Sequence, residues 1–105
     1  MGFSATQHVT GEAPVDVTRL SEGAVVTVGT RNSTYRLTIR DGEHRLASIE
    51  GGKFFSDPVV ARIEGTPFED GAVQVGIIQP GKRMEIVAGG QRIVTSPVRS
   101  LNVAA

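Results

Sequence analysis

The residues able to do chemistry in this chain are few and scattered. Catalysis by a serine or threonine nucleophile needs a histidine held by a third group, and the only histidines are His8, near the start, and His44, beside an Asp-Gly pair. Neither lies in a catalytic motif. Asp41, Glu43 and His44 form a charged cluster, but on an extended strand adjacent residues point to opposite faces, so the three do not converge on a metal. Glu69-Asp70 is a carboxylate pair inside Phe68-Glu69-Asp70-Gly71, which reads first as a turn. Acid-base catalysis also requires two environments that separate the pKa values, and nothing in this stretch supplies them. Glu50-Gly51-Gly52-Lys53 and Ala88-Gly89-Gly90-Gln91 lack the further glycines and following helix of a phosphate-cradling loop, so both read as turns. No cofactor, metal or catalytic residue is expected, and a small-molecule site or an enzyme, the further alternative, has no recognisable motif behind it.

A different group of residues suits binding. The polar run Thr30-Arg31-Asn32-Ser33-Thr34 interrupts two alternating stretches, Val26 and Val28 before it and Tyr35, Leu37 and Ile39 after it. Lys53 precedes Phe54 and Phe55, and because neighbouring residues in extended chain face opposite ways, at most one phenylalanine enters a core easily. Lys82 and Arg83 follow a Pro-Gly turn. An exposed aromatic beside cations fits a pocket on a partner protein, or the face of an unstacked base.

The elements that would position these residues are strands. Thirteen glycines and five prolines punctuate a valine- and isoleucine-rich chain, and no window shows the 3.6-residue apolar period of a helix. Strands are expected over 24–30, with Ala24, Val26 and Val28 on one face, over 34–40, and over 44–49, where Leu46 and Ile49 fall out of phase and imply a bulge or early end. Others are expected at 59–64 (Val59, Ala61, Ile63 inward), 72–79 (Val73, Val75, Ile77 inward), around Met84 and Ile86, and over 92–96 up to Pro97. Leu101 and Val103 add a last short pairing. Arg40-Asp41-Gly42-Glu43 reads as a type I′ hairpin, Gln79-Pro80-Gly81-Lys82 as a type II turn and Ala88-Gly89-Gly90-Gln91 as a further hairpin. About seven short, mostly antiparallel strands imply an all-β fold, a small barrel with a β-sandwich as the alternative. Residues 1–14 read as a flexible tail and 15–105 as one domain.

Chain-wide properties bound the function. At 105 residues a single domain buries about 60–70% of its extended-chain surface, enough for a core without crosslinks. Cysteine is absent, which excludes disulfides and thiolate chemistry and favours a cytoplasmic setting. No apolar run approaches the roughly 18 residues of a membrane span. Eleven basic residues balance eleven acidic ones, so no global field draws the chain to nucleic acid or a membrane, and any electrostatic role is local.

If consecutive strands pair as a meander, loops alternate between two ends. Arg31, Asn32, Ser33, Lys53, Phe54 and Phe55 then gather with Lys82 and Arg83 at a basic, aromatic end, while Asp41, Glu43, Glu69 and Asp70 gather at an acidic one. This arrangement suggests a protein-protein or self-assembly module, a homo-oligomer through complementary ends, with an anion or single-stranded nucleic-acid binder as the alternative use of the same residues. Arg31→Glu is expected to leave the melting temperature within a few degrees of the parent, as exposed substitutions usually do, and to weaken whatever this end binds; unchanged assembly and ligand binding would reduce the run to a plain turn.

Overall fold

The computed structural model of the protein describes residues 13–104 and the backbone of residues 8–10. The chain is all-β. Its strands are β1 (His8–Thr10), β2 (Val15–Asp16), β3 (Val25–Thr30), β4 (Thr34–Asp41), β5 (Leu46–Gly51), β6 (Phe55–Pro67), β7 (Val73–Val75), β8 (Ile77–Ile78), β9 (Glu85–Ala88), β10 (Gln91–Val94) and β11 (Val98–Ala104). One antiparallel sheet runs in the order β1-β11-β3-β4-β5-β6-β9-β10, with β7 also on β6, and curls into a half-barrel. A second, two-stranded sheet pairs β2 with β8. The expected flexible tail, 1–14, falls largely outside the described residues; within it His8–Thr10 pairs with Asn102–Ala104 of β11.

The strands form because their apolar residues alternate, and the alternation decides which face turns inward. Val26 and Val28 on β3, Tyr35, Leu37 and Ile39 on β4, Ala47 and Ile49 on β5, Ile63 on β6, Ile86 on β9 and Leu101 on β11 are all buried on the concave side. Each fully buried aliphatic side chain contributes on the order of 1.5–3 kcal/mol relative to exposure. A strap closes one side of this core. Asp16 caps the 3₁₀ turn Val17–Arg19 by accepting the Thr18 amide (3.0 Å) and hydroxyl (2.6 Å), which turns Val15 and Val17 inward beside Ile78.

The meander holds from β3 to β6 and fails after it. The strand expected over 72–79 is broken at Gly76, whose φ of +73° only glycine adopts without strain. Its N–H donates to Glu64 O and its carbonyl accepts from Val17 N–H, both at 2.9 Å. The chain therefore changes phase: Val75, expected inward, is 60% exposed, and Ile78 rather than Ile77 enters the core. The 59–64 strand is longer than expected, and Val59 is exposed instead of inward, because β9 covers β6 only from Ala61 to Gly65. Among the described residues there are eleven strands where about seven were expected, since long spans divide at such irregularities and β11 is a full strand between β1 and β3.

The Asp-Gly hairpin also differs from its reading. β4 continues to Asp41, opposite Leu46, and the left-handed residue is Arg45 (φ +60°), not Gly42. The bulge implied by the Leu46 phase lies across from it, between Ile39 and Asp41. The Asp41 carboxylate accepts the His44 N–H (3.2 Å) and meets His44 Nδ1 at 2.8 Å. This hydrogen bond lowers the Asp41 pKa and raises that of His44. The sign follows: the pairing stabilises the turn fully above the ordinary carboxylate pKa and below the ordinary imidazole pKa, and that stability is lost as pH falls through the lowered Asp41 pKa or rises through the raised His44 pKa. The Pro80-Gly81 and Gly89-Gly90 turns form as read, with Lys82 N–H donating to Gln79 O (3.1 Å) and φ of +58° and +78° at the glycine pair.

Gly42 is required for space. A Cβ there would press into the Leu20 carbonyl oxygen and lie 2.9 Å from Val17 O, both backbone atoms of the strap. Gly42→Ala is therefore expected to destabilise the fold by about 1–3 kcal/mol or more, the usual cost of overpacking, as read from urea unfolding; a change under about 0.5 kcal/mol would show that the strap yields freely.

Candidate binding surface

The polar run between β3 and β4 is a tight hairpin end. Thr30 N–H donates to Ser33 O (2.7 Å), and the Thr30 hydroxyl both donates to that carbonyl (3.1 Å) and accepts the Ser33 N–H (3.2 Å). With the flanking backbone satisfied by its own threonine, Arg31 and Asn32 are left exposed at the tip. The turn between β5 and β6 carries Lys53 and Phe54 and leads into Phe55, the first residue of β6, and the two phenylalanines separate as the strand geometry requires. Phe55 is 6% exposed and meets Tyr35 edge to face, with ring centres 6.4 Å apart. Phe54 is 59% exposed, its ring 6.2 Å from that of Phe55.

The curl of the sheet brings the far end of β10 to this place. A hollow of about 210 Å³ lies between Asn32, Ser33, Lys53 and Phe54 on one side and Val94 to Ser96 on the other, with Tyr35 lining it as well. Beyond Ser96, Pro97 borders a second hollow of about 500 Å³, lined also by Pro67, Phe68, Glu69, Lys82 and Arg83. The segment between them is braced. Arg83 Nη1 donates to Thr95 O (3.1 Å), Thr95 and Met84 exchange hydrogen bonds of 2.9 and 3.1 Å, and Val98 is bonded to both Gly81 and Lys82. Val98 in turn pairs with Thr30, which ties the Pro-Gly turn to the β3 end.

Of the residues singled out from sequence, Asn32, Ser33, Lys53 and Phe54 line one hollow, and Arg31 stands at the tip beside them. Phe55 lies beneath, buried. Lys82 and Arg83 line the neighbouring hollow together with Glu69, which the loop alternation assigned to the opposite end. The alternation fails there because β8 leaves the sheet to pair with β2 before the chain returns as β9. Sequence reasoning missed Val94, Thr95 and Ser96, whose approach depends on curvature, and Phe68, which had a legible signal: an aromatic between Pro67 and Glu69-Asp70-Gly71 has no alternating partner to bury it.

Electrostatically the surface is open. Among the described residues the ion pairs are Asp41–His44, Arg45–Glu64, Arg62–Glu64 and Glu85–Arg92, and none takes Arg31, Lys53, Lys82, Arg83, Glu69 or Asp70. The buried Glu85 carboxylate, 2.9 Å from Arg92, raises the arginine pKa and fastens β10 to β9. His44, the histidine whose side chain is described, hydrogen-bonds Asp41 in the turn before β5, and no three acidic or histidine side chains among the described residues converge as metal ligands. What the surface offers is apolar contact flanked by charges outside any ion pair among the described residues. Among the described residues no helix is long and apolar enough to cross a membrane. No protein-family model matches the chain, and no curated protein or solved structure shows significant similarity to it.

The two phenylalanines should separate in experiment as they do in space. Phe55→Ala is expected to cost about 3–5 kcal/mol of stability, as buried aromatic truncations do, whereas Phe54→Ala should cost roughly 1 kcal/mol or less for a half-exposed ring with one aromatic neighbour. Equal losses in chemical denaturation would contradict this division of roles.

Proposed function

We propose that the protein is a non-enzymatic binding module of the cytoplasm that takes a segment of protein through the surface around Thr95 to Pro97. The supporting observation is the pair of exposed phenylalanines, Phe54 and Phe68 at 59% and 52%, set among Lys53, Lys82 and Arg83 with no carboxylate partner among the described residues. Aromatic and arginine side chains carry much of the energy of protein interfaces, and a braced backbone beneath them lowers the cost of ordering on binding. Cations at the rim speed encounter with acidic segments and set register. The alternative, single-strand nucleic-acid binding with Phe54 as a stacking platform, sits poorly with a zero net charge, since such domains are commonly basic.

The test is a direct comparison of two probes. A short labelled peptide alternating glutamate and phenylalanine is expected to bind, and Phe54→Ala to weaken it at least about tenfold, the range of an interface anchor. A mixed-sequence single-stranded oligonucleotide is expected to bind weakly or not at all. Peptide affinity indifferent to Phe54→Ala removes the proposal, and oligonucleotide binding that weakens steeply with salt replaces it with the stacking alternative.

A further inference from the structure

The chain itself carries a segment of the chemistry this surface fits. Phe68-Glu69-Asp70-Gly71 is the turn between β6 and β7, closed by Phe68 N–H to Ala72 O (2.7 Å), Gly71 N–H to Phe68 O (3.1 Å) and Ala72 N–H to the Asp70 carboxylate (3.0 Å). It is a preformed tip that presents an exposed phenylalanine with two exposed carboxylates outside any ion pair among the described residues. The hollow beside Phe54, at about 210 Å³, exceeds the roughly 150 Å³ cavity that accepts a benzene ring. Lys53 lines it, and Arg31 stands at the turn tip beside it.

Resting on the binding role proposed above, we infer that the partner is a second copy of this chain: the Phe68–Asp70 tip of each copy enters the Phe54 hollow of the other, with Glu69 and Asp70 against Lys53 and Arg31. The arrangement on one copy decides the symmetry. Had the acidic turn stood at the end opposite the basic one, as loop alternation implies, complementary ends would stack head to tail into a ring or filament. Instead the hollow that holds Phe68 and Glu69 with Lys82 and Arg83 reaches Pro97, next in the chain to the Ser96 that lines the Phe54 hollow, so tip and receptor are neighbours rather than opposite ends. A surface bearing both side by side is self-complementary about a twofold axis, and the pair closes as a dimer with two identical contacts. Once one contact forms, the second is intramolecular, which raises the affinity above that of one tip alone. Zero net charge adds no global repulsion between copies.

Sedimentation velocity over a concentration series at two salt levels tests this, with three variants whose substitutions lie at exposed positions and spare the Asp70 carboxylate that closes the tip: Lys53→Glu, Glu69→Lys and Phe68→Ala. Circular dichroism checks that each keeps its fold. The parent is expected to dimerise reversibly, less tightly at high salt, and each variant to raise the dissociation constant at least tenfold. Mixing Lys53→Glu with Glu69→Lys one to one is decisive. In that pair one contact is native and the other has the Lys53 and Glu69 charges reversed, so dimerisation should return to within about threefold of the parent. A mixture that stays monomeric, a dimer untouched by the variants, or an open series of larger species overturns the inference. A parent that is monomeric throughout yet binds the glutamate-phenylalanine peptide through Phe54 also overturns it and leaves the binding role standing; a monomeric parent that ignores the peptide removes both.

Discussion

The backbone ladder along β6 is the constraint on which the rest depends. One edge of this thirteen-residue strand is bonded to β5, from Phe55 to Arg62, and then to β7, at Gly65 to Pro67, while the other is bonded to β9 at Ala61 to Gly65, with Gly65 set between Val75 and Glu85. The β3-β4-β5 meander and the returning β9-β10 hairpin thus meet on a single strand. Register shifts at Ile49/Gly51 and Ile63/Gly65 bend it, as bulges do, and the bend lets a sheet made from so short a chain enclose an aliphatic core. The cost is local: from Ser56 to Val60 the strand is exposed, with β9 absent from its second edge. Pro58 falls within this stretch, where a missing N–H donor discourages stray strand pairing.

The same bend makes the candidate surface. Curling carries the end of β10 around to the turns at Ser33 and Phe54, so residues more than sixty positions apart line one hollow. Stability and exposure are divided between adjacent residues there. Phe55 is spent on the core against Tyr35, and Phe54, held over it, is left for contact. The Arg83 and Met84 bonds to Thr95 keep the ridge between the two hollows in place, so a partner would meet a surface already ordered. The proposed recognition role rests on the hollow beside Phe54 and on the exposed charges around it.

Much of this was legible in the residues because it is local. Alternation placed Val26, Val28, Tyr35, Leu37 and Ile39 inward, and did so correctly because each strand's side-chain period is two whatever it pairs with. The Pro80-Gly81 and Gly89-Gly90 turns follow from backbone freedom at the glycines, and the split between Phe54 and Phe55 from their adjacency. Reading failed where a residue answers to something distant. Gly42 resembles half of an Asp-Gly hairpin, yet its role is to clear the Val17 and Leu20 carbonyls of a strap twenty-odd residues away. Val75 and Ile77 follow the right period but the wrong phase, because Gly76 is turned by bonds to Glu64 and Val17.

The amino-acid sequence by itself determined the all-β class, the inward faces of the regular strands, the two glycine turns and the exposure of one phenylalanine, since steric preference and side-chain alternation act within a few residues. Only the tertiary structure decided the strand order after β6, the departure of β8 to β2, and the meeting of the Phe54 turn with Val94 to Ser96. Those depend on how a bent sheet satisfies its second edge, a long-range balance of hydrogen bonding and burial that no short window of residues expresses. The placing of Glu69 beside Lys82 and Arg83, rather than across the molecule from them, is its clearest product.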